Sequence, residues 1–416
     1  MRAFFLVAVL SILSRCSQSP IQQDIEWKSI EKDLQTMLIM ANDGDTIELP
    51  AGHFMFTRTL TMDGKSDITI RGKGMNETIL SWKNQVEGAQ GIQITNGQHI
   101  LLEDFSVEDA KGDNVKVSDV NGITMRRVRS VWADGPKTEN GAYALYPVLC
   151  KNVLMEECIA MGSSDAGIYV GQSDSVIIRN NKAYWNVAGI ESENSKWVEI
   201  YGNEAFENTG GILVFDLPGL TQYGHSTKVY KNKVRSNNFR NFAMKGNIVA
   251  SIPPGSGMMV LATHGIEIFD NEFIDNTTVG IAIVSYELVA ALNAGEQEQE
   301  ASIGGVQSVD NRFREDSLYN AFPYDVAIHH NQFTNTHWFP SLSNDIGKLL
   351  LMESMFSPPD ILYDGIDNPN QPERNICIGE NGDITFINLD AAREFENLSK
   401  DQAPFQCQAD QVISLR

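Results

Sequence analysis

The words Ala166-Gly167-Ile168-Tyr169-Val170, Ala188-Gly189-Ile190-Glu191-Ser192 and Gly210-Gly211-Ile212-Leu213-Val214 begin 22 residues apart. A fixed period of this kind is one structural unit repeated, and such a unit has no core of its own until its neighbours stack on it. The length suits one coil of three short strands. Inside each coil a strand of the form V-x-I-x-x-N follows, as in Val176-Ile177-Ile178-Arg179-Asn180-Asn181 and Val198-Glu199-Ile200-Tyr201-Gly202-Asn203. The last Asn of these words aligns with Asn232, Asn271 and Asn331 further on, and with Phe105, Val128 and Cys158 before. A position that recurs once per coil stacks along the axis. Amides stacked there bond to each other and to backbone for about 1 kcal/mol net per bond, whereas one unpaired buried amide costs about as much or more. The earlier rungs are apolar, so Cys158 reads as a small core residue.

Before the repeats, Ile30, Leu34, Met37, Leu38 and Ala41 recur at helical spacing, which predicts an amphipathic helix over 27–41 stopped at Asn42-Asp43-Gly44. Coils then account for 44–90, 91–145, 146–211 and 212–285. Three corner insertions interrupt them: 132–145, 241–256, and 286–324 with the acidic run at 296–300. Long loops on a stacked scaffold flank a site or cover an edge, because the repeats carry the stability. Beyond Trp338 the pattern is lost, and that tail is expected to cover the last coil's open strand edges.

The start of the chain bears on compartment. Met1 and Arg2 precede the apolar run Ala3–Leu10, and polar Ser17-Gln18-Ser19-Pro20 follows, as in a secretory signal. The run is too short to span a bilayer as a mature helix. Leu13-Ser14-Arg15-Cys16 resembles the lipobox of bacterial lipoproteins, except that Arg15 stands where a small residue is usual. Lipid anchoring and simple cleavage both remain open.

A net charge of −22, from 54 acidic and 32 basic residues, argues against nucleic acid, whose phosphates need a basic surface. It also opposes a polyanionic substrate unless a local basic patch or bound cations intervene. Of the five cysteines, Cys16 belongs to the signal and Cys150 and Cys158 fall inside coils. Cys377 and Cys407 remain in the tail, as a disulfide pair or as two free thiols.

The helix followed by Gly44-Asp45-Thr46-Ile47-Glu48-Leu49-Pro50-Ala51-Gly52-His53-Phe54 resembles the amino-terminal cap and first coil of pectin-lyase-like β-helix proteins. Over nearly all of the mature chain the pattern is similar to one bacterial family, the parallel β-helix repeat proteins with lipoprotein or ordinary signals, encoded beside a diheme c-type cytochrome. The resemblance implies an all-β chain folded as a single-stranded right-handed parallel β-helix, the pectin-lyase-like solenoid. Its parts are then a signal over 1–20, a capping helix over 21–43, the β-helix over 44–338 and a cap or tail over 339–416. It also implies export to the periplasm or a lipid-anchored place in the envelope, with the cytochrome as a partner. No reaction comes with it.

In enzymes of that fold the substrate lies across the first strand of successive coils. Here those strands begin at Ile92, Val115, Tyr146, Ile168, Ile190, Ile212, Met258 and Ile281. Alternation sends outward Gln93 and Thr95, Lys116 and Ser118, Pro147 and Leu149, Tyr169 and Gly171, Glu191 and Glu193, Leu213 and Phe215, Met259 and Leu261, then Ala282 and Val284. Two residues apart on one strand, Glu191 and Glu193 would have Cα atoms roughly 6.5–7 Å apart on one face. Paired carboxylates suit acid and base roles on a glycosidic bond, and repulsion raises one pKa. Asp216 on the next coil extends the cluster. The bland reading is a solvated acidic patch or an incidental cation site, with calcium the natural ion; no other cofactor is indicated.

Lyase or epimerase chemistry on a uronate needs a cation beside the substrate carboxylate and a base for the α-proton. Lys116 and Lys137 could neutralise, and Tyr143 or Tyr169 could move protons. The DPH word of mannuronan epimerases is missing, as is the paired Asp with a following RIK of polygalacturonases. Leu213, Phe215, Met259 and Leu261 are expected under the insertions at 241–256 and 286–324, or in an exposed groove for a partner or an apolar ligand. The seven histidines show no ligand spacing, with His264 alone in a corner. Two functions follow: binding or processing of polysaccharide at Tyr169, Glu191, Glu193, Asp216, Lys137 and Tyr143, or an envelope scaffold whose acidic surface steers a protein such as the cytochrome.

Overall fold

Ile168, Ile190, Ile212, Met258, Ile281, Ile361 and Phe386 stand in direct register on successive parallel strands, and all of them are buried. An apolar residue returning once per coil therefore meets its own kind above and below, and the columns merge into one continuous core. The computed structural model describes residues 27–292, 313–352, 357–371 and 375–407. The signal, the lipobox and the acidic run at 296–300 lie outside them. The first strands form one sheet of eleven parallel strands, from Arg58–Asp63 to Phe386–Asn388. The second and third strands belong to a sheet of 20.

The corner between second and third strands uses the left-handed backbone region. Asp104, Arg127, Glu157, Asn180, Lys231 and Asp270 occupy it with φ between 49° and 64°. The residue after this corner points inward and makes the expected ladder. Asn181, Asn203, Asn232, Asn271 and Asn331 are linked amide to amide at 2.9–3.0 Å. Asn381 adds a further rung at 3.1 Å. Each amide also donates to a main-chain carbonyl, as Asn203 does to Ile178 at 2.9 Å. Phe105, Val128 and Cys158 fill the earlier rungs, buried. A second ladder, Asn186–Asn208–Asn237–Asn276, stands at the next corner with links of 3.0–3.1 Å.

Three expectations are corrected. The amino-terminal helix, α1, spans Glu31–Met40 rather than 27–41, because Trp27 and Lys28 pair as a strand with His53 and Phe54. Leu34 and Leu38 of α1 are buried over the first coil. The coils do not stop at Trp338. Strands Ile361–Tyr363, Ile376–Gly379 and Phe386–Asn388 continue both sheets after a long corner that hides the period. In the strand Tyr143–Val148 the register is shifted by one, since Leu145, not Tyr146, pairs with Val115 and Ile168. Tyr146 and Val148 thus face outward in place of Pro147 and Leu149. All six residues of that strand are buried, so alternation left no phase to read.

Cys377 and Cys407 are joined, with Cα atoms 5.5 Å apart. The link holds the turn Ala403–Phe405 and the buried Phe405 ring against the end of the coil stack. Among the described residues no helix is long and apolar enough to cross a membrane.

Candidate functional site

Two outward columns run along the first-strand sheet. One places Tyr169, Glu191, Leu213, Met259 and Ala282 in register, and the other Gly171, Glu193, Phe215, Leu261 and Val284. The polar half is not a solvated patch: Glu191 is 1% exposed and Glu193 2%. Corner segments roof the sheet. The turn 217–224 folds back over the two preceding coils, where Gln222 Nε2 donates to the carbonyls of Ser173 (3.0 Å) and Asn194 (2.9 Å). Thr221 Oγ1 bonds Gln172 Oε1 at 2.8 Å. The Tyr223 hydroxyl donates to Asp316, and the Tyr319 hydroxyl reaches the Asp216 carbonyl at 2.9 Å, which ties this turn to the segment following α2 (Tyr286–Leu292).

Under the roof the two glutamates meet two carboxyls that pattern reading missed, Asp113 and Asp165, which stand just before the strands Val115–Ser118 and Ala166–Gly171. Their neighbours in register offered the available signal. Val187, one coil above Asp165, is apolar and wholly buried, so an acid at that corner is out of place. Asp216 joins from the next coil, its two oxygens each accepting from the Gly224 amide at 2.9 Å. Tyr143, Tyr146 and Tyr169 pack ring to ring beside the acids, with centroids 4.4–4.9 Å apart. Tyr143 stands beside Asp165 and Tyr169 beside Glu193, where each hydroxyl favours the ionised carboxylate. Lys116 lies 4.8 Å above the Tyr146 ring and is the cation felt by Asp113. Lys137 is not brought in: it pairs with Asp134 at 3.3 Å on an exposed corner.

Both oxygens of Asp113 and one each of Asp165, Glu191 and Glu193 are buried without a hydrogen-bond partner. Burial dominates their acidity, because an ion is penalised where water is excluded. It lifts Glu193 to about 7 against the neighbouring Tyr169 hydroxyl, and Asp113 to about 6 against the charge of Lys116. Asp165 and Glu191 go well above the carboxylate range, since burial is reinforced by the charges of Glu193 and Asp113 on Asp165 and by those of Asp165 and Glu193 on Glu191. Asp216 is raised by burial as well, despite the Gly224 amide. Neighbouring carboxyls whose acidities are driven apart supply a proton donor and a proton acceptor at one pH. No three acidic, His or Cys side chains among the described residues converge tightly enough to hold a metal ion.

The apolar half is covered as expected. Leu213, Phe215, Met259 and Leu261 face the turn Ile248–Ser251, α2 and Ile346 across an apolar cavity. His264 is not the lone histidine of its corner, since the His225 ring stands 6.0 Å away, and its own ring stacks on Tyr324 with centroids 4.4 Å apart.

The molecule is a parallel β-helix whose first-strand face is closed over a carboxyl–tyrosine cluster. It belongs to the right-handed β-helix family, whose model, described as "Right handed beta helix region", matches residues 62–223 and 138–294. Three solved structures illustrate the likeness. The A-module of the Azotobacter vinelandii mannuronan C-5 epimerase AlgE4 is 13% identical, with 81% of this chain and 86% of that one covered and a TM-score of 0.43. The alginate lyase AlyF-OU02 in complex with G6 is 14% identical over 87% and 82%, TM-score 0.39. The DFA-IIIase of Arthrobacter chlorophenolicus A6 is 9% identical over 74% and 91%, TM-score 0.42. No curated protein matches the chain in sequence.

Proposed function

We propose that this protein is an exported, carbohydrate-processing β-helix acting on a neutral saccharide, with Glu191 as proton donor, Glu193 as proton acceptor and Tyr169 holding Glu193. The observation that carries the reading is the set of buried carboxyl oxygens without partners. Each costs roughly 1–3 kcal/mol while unsatisfied, and sugar hydroxyls are the donors they lack. Asp113 and Glu193 are the two acids of the cluster that ionise near neutral pH, and with Lys116 as the nearby cation they disfavour a uronate relative to a neutral sugar. Export is supported by the Cys377–Cys407 bridge, a bond that persists in oxidising compartments. Saccharide enters when the turn 217–224, held mainly by polar contacts, swings away.

A panel of neutral and uronate glycans with product analysis tests this on the wild type and on Glu191→Gln and Glu193→Gln. Turnover of a neutral glycan, lost in both variants, is the expected result. The −22 charge favours a second reading, a scaffold that steers a basic partner such as a c-type cytochrome. A chain that turns over no saccharide but retains a cytochrome in moderate salt would replace the first reading with the second.

A further inference from the structure

We infer that the apolar half of the roofed face binds the hydrocarbon end of a single-chain amphipathic anion, with its head group at Arg240. The cavity there measures about 80 Å³, with Leu213, Met259, Leu261 and Ala282 on the sheet side and Ile252 and Leu288 on the roof. Apolar voids stay dry, and their walls lose the contacts that packing would give. An engineered void of about 150 Å³ admits benzene, so a smaller one admits the end of a straight chain rather than a ring.

The cavity is not sealed. Ser251, Ile252, Pro253, Leu292 and Ile346 line it and also line an adjoining open groove of about 610 Å³. Beside Ala250 and Pro254, the rest of that groove carries the polar side chains of Asn238, Arg240, Asn241, Ser343, Asn344 and Asp345. Asp345 is taken by Lys348 at 2.9 Å. Arg240 has no carboxylate partner among the described residues, and its guanidinium lies 5.8 Å from the Phe239 ring. A cation without a carboxylate partner among the described residues, in a groove that adjoins an apolar cavity, selects an anionic head on an aliphatic tail in a chain of charge −22. A fatty-acid carboxylate and a lysophospholipid phosphate share that chemistry. The site is separate from the carboxyl cluster and needs no saccharide.

Calorimetry with decanoate, lysophosphatidylglycerol and uncharged decyl maltoside tests the assignment on the full chain. Decanoate is expected to bind one to one and about tenfold more tightly than the maltoside, a gap that Arg240→Ala erases. Tighter binding of the lysophospholipid identifies a lipid as the source, and tighter binding of decanoate a free acid. Ala282→Leu, which fills the cavity, is expected to abolish binding of both. Unaltered binding to a folded Ala282→Leu, or no preference for the anions, overturns the proposal. Should Ala282→Leu not fold, the Met259 methyl resonance of the wild type decides instead: it shifts on adding decanoate, or the proposal fails.

Discussion

The Tyr169 hydroxyl lies over Gly171 so closely that a Cβ added there would stand 2.1 Å from it. Gly171 pairs in register with Glu193, so the missing side chain is the space through which Tyr169 reaches that carboxyl. Gly171→Ala is expected to displace the hydroxyl, raise the pKa of Glu193 further and destabilise the fold by about 1–3 kcal/mol. Carboxyl infrared titration and urea unfolding measure the two effects. An unchanged Glu193 titration would show that the tyrosine does not set it.

Stability should fall as pH rises toward neutrality. Glu193 is lifted from 4.5 to about 7 and Asp113 from 3.8 to about 6, chiefly by burial. Between those limits the folded chain binds a proton that the unfolded chain has released. Each group thus destabilises the fold progressively across its own window, Glu193 by on the order of 3 kcal/mol. Urea midpoints from pH 4.5 to 8 should decline, and Glu193→Gln should flatten the part between 4.5 and 7.

The turn 217–224 is held by bonds that single substitutions can remove. Gln222→Ala deletes the contacts to Ser173 and Asn194, about 1.5 kcal/mol together, and should speed local amide exchange around Leu217 roughly tenfold. Exchange at the Asn203 rung should stay slow. Equal acceleration at both places would mean that the turn does not open by itself.

Asn203→Ala breaks a rung. The Asn181 amide and side chain lose their acceptor, and the Ile178 carbonyl and Asn232 lose a donor. A loss of roughly 2–5 kcal/mol is expected in urea unfolding, more than at an ordinary surface site. Asn203→Asp, which keeps the acceptor, should retain part of it at low pH.

The disulfide closes a loop with a sequence separation of 30 residues, which corresponds to about 3.5 kcal/mol in the chain-entropy account. Reduction or Cys377→Ala should therefore lower the unfolding midpoint and expose the Ala403–Phe405 turn to protease first. Peptide mapping without reductant checks the link itself.

What could be read in advance follows from where burial is decided. The coil words and the Asn rungs are visible because each residue's environment is set by its counterpart one coil away. The strand Tyr143–Val148 is buried on both faces, so nothing in its composition distinguishes inward from outward. Glu191 and Glu193 were found by alternation, yet their closure depends on contacts such as Tyr319 to Asp216, separated by 103 residues. Asp113 and Asp165 sit in corners, where the period is interrupted and an acid looks like any turn residue.

The rungs keep their 2.9–3.1 Å links whether partners stand 22, 29, 39, 60 or 50 residues apart in sequence. Lengthening a coil from 22 to 60 residues through its corners adds only about 0.9 kcal/mol of closure entropy. Corners are consequently interchangeable cassettes mounted on a frame that does not register their length. Over evolutionary time the roof, and with it the choice of ligand, can be rewritten while the frame stays the same, and the same freedom is open to anyone grafting a new roof onto these coils.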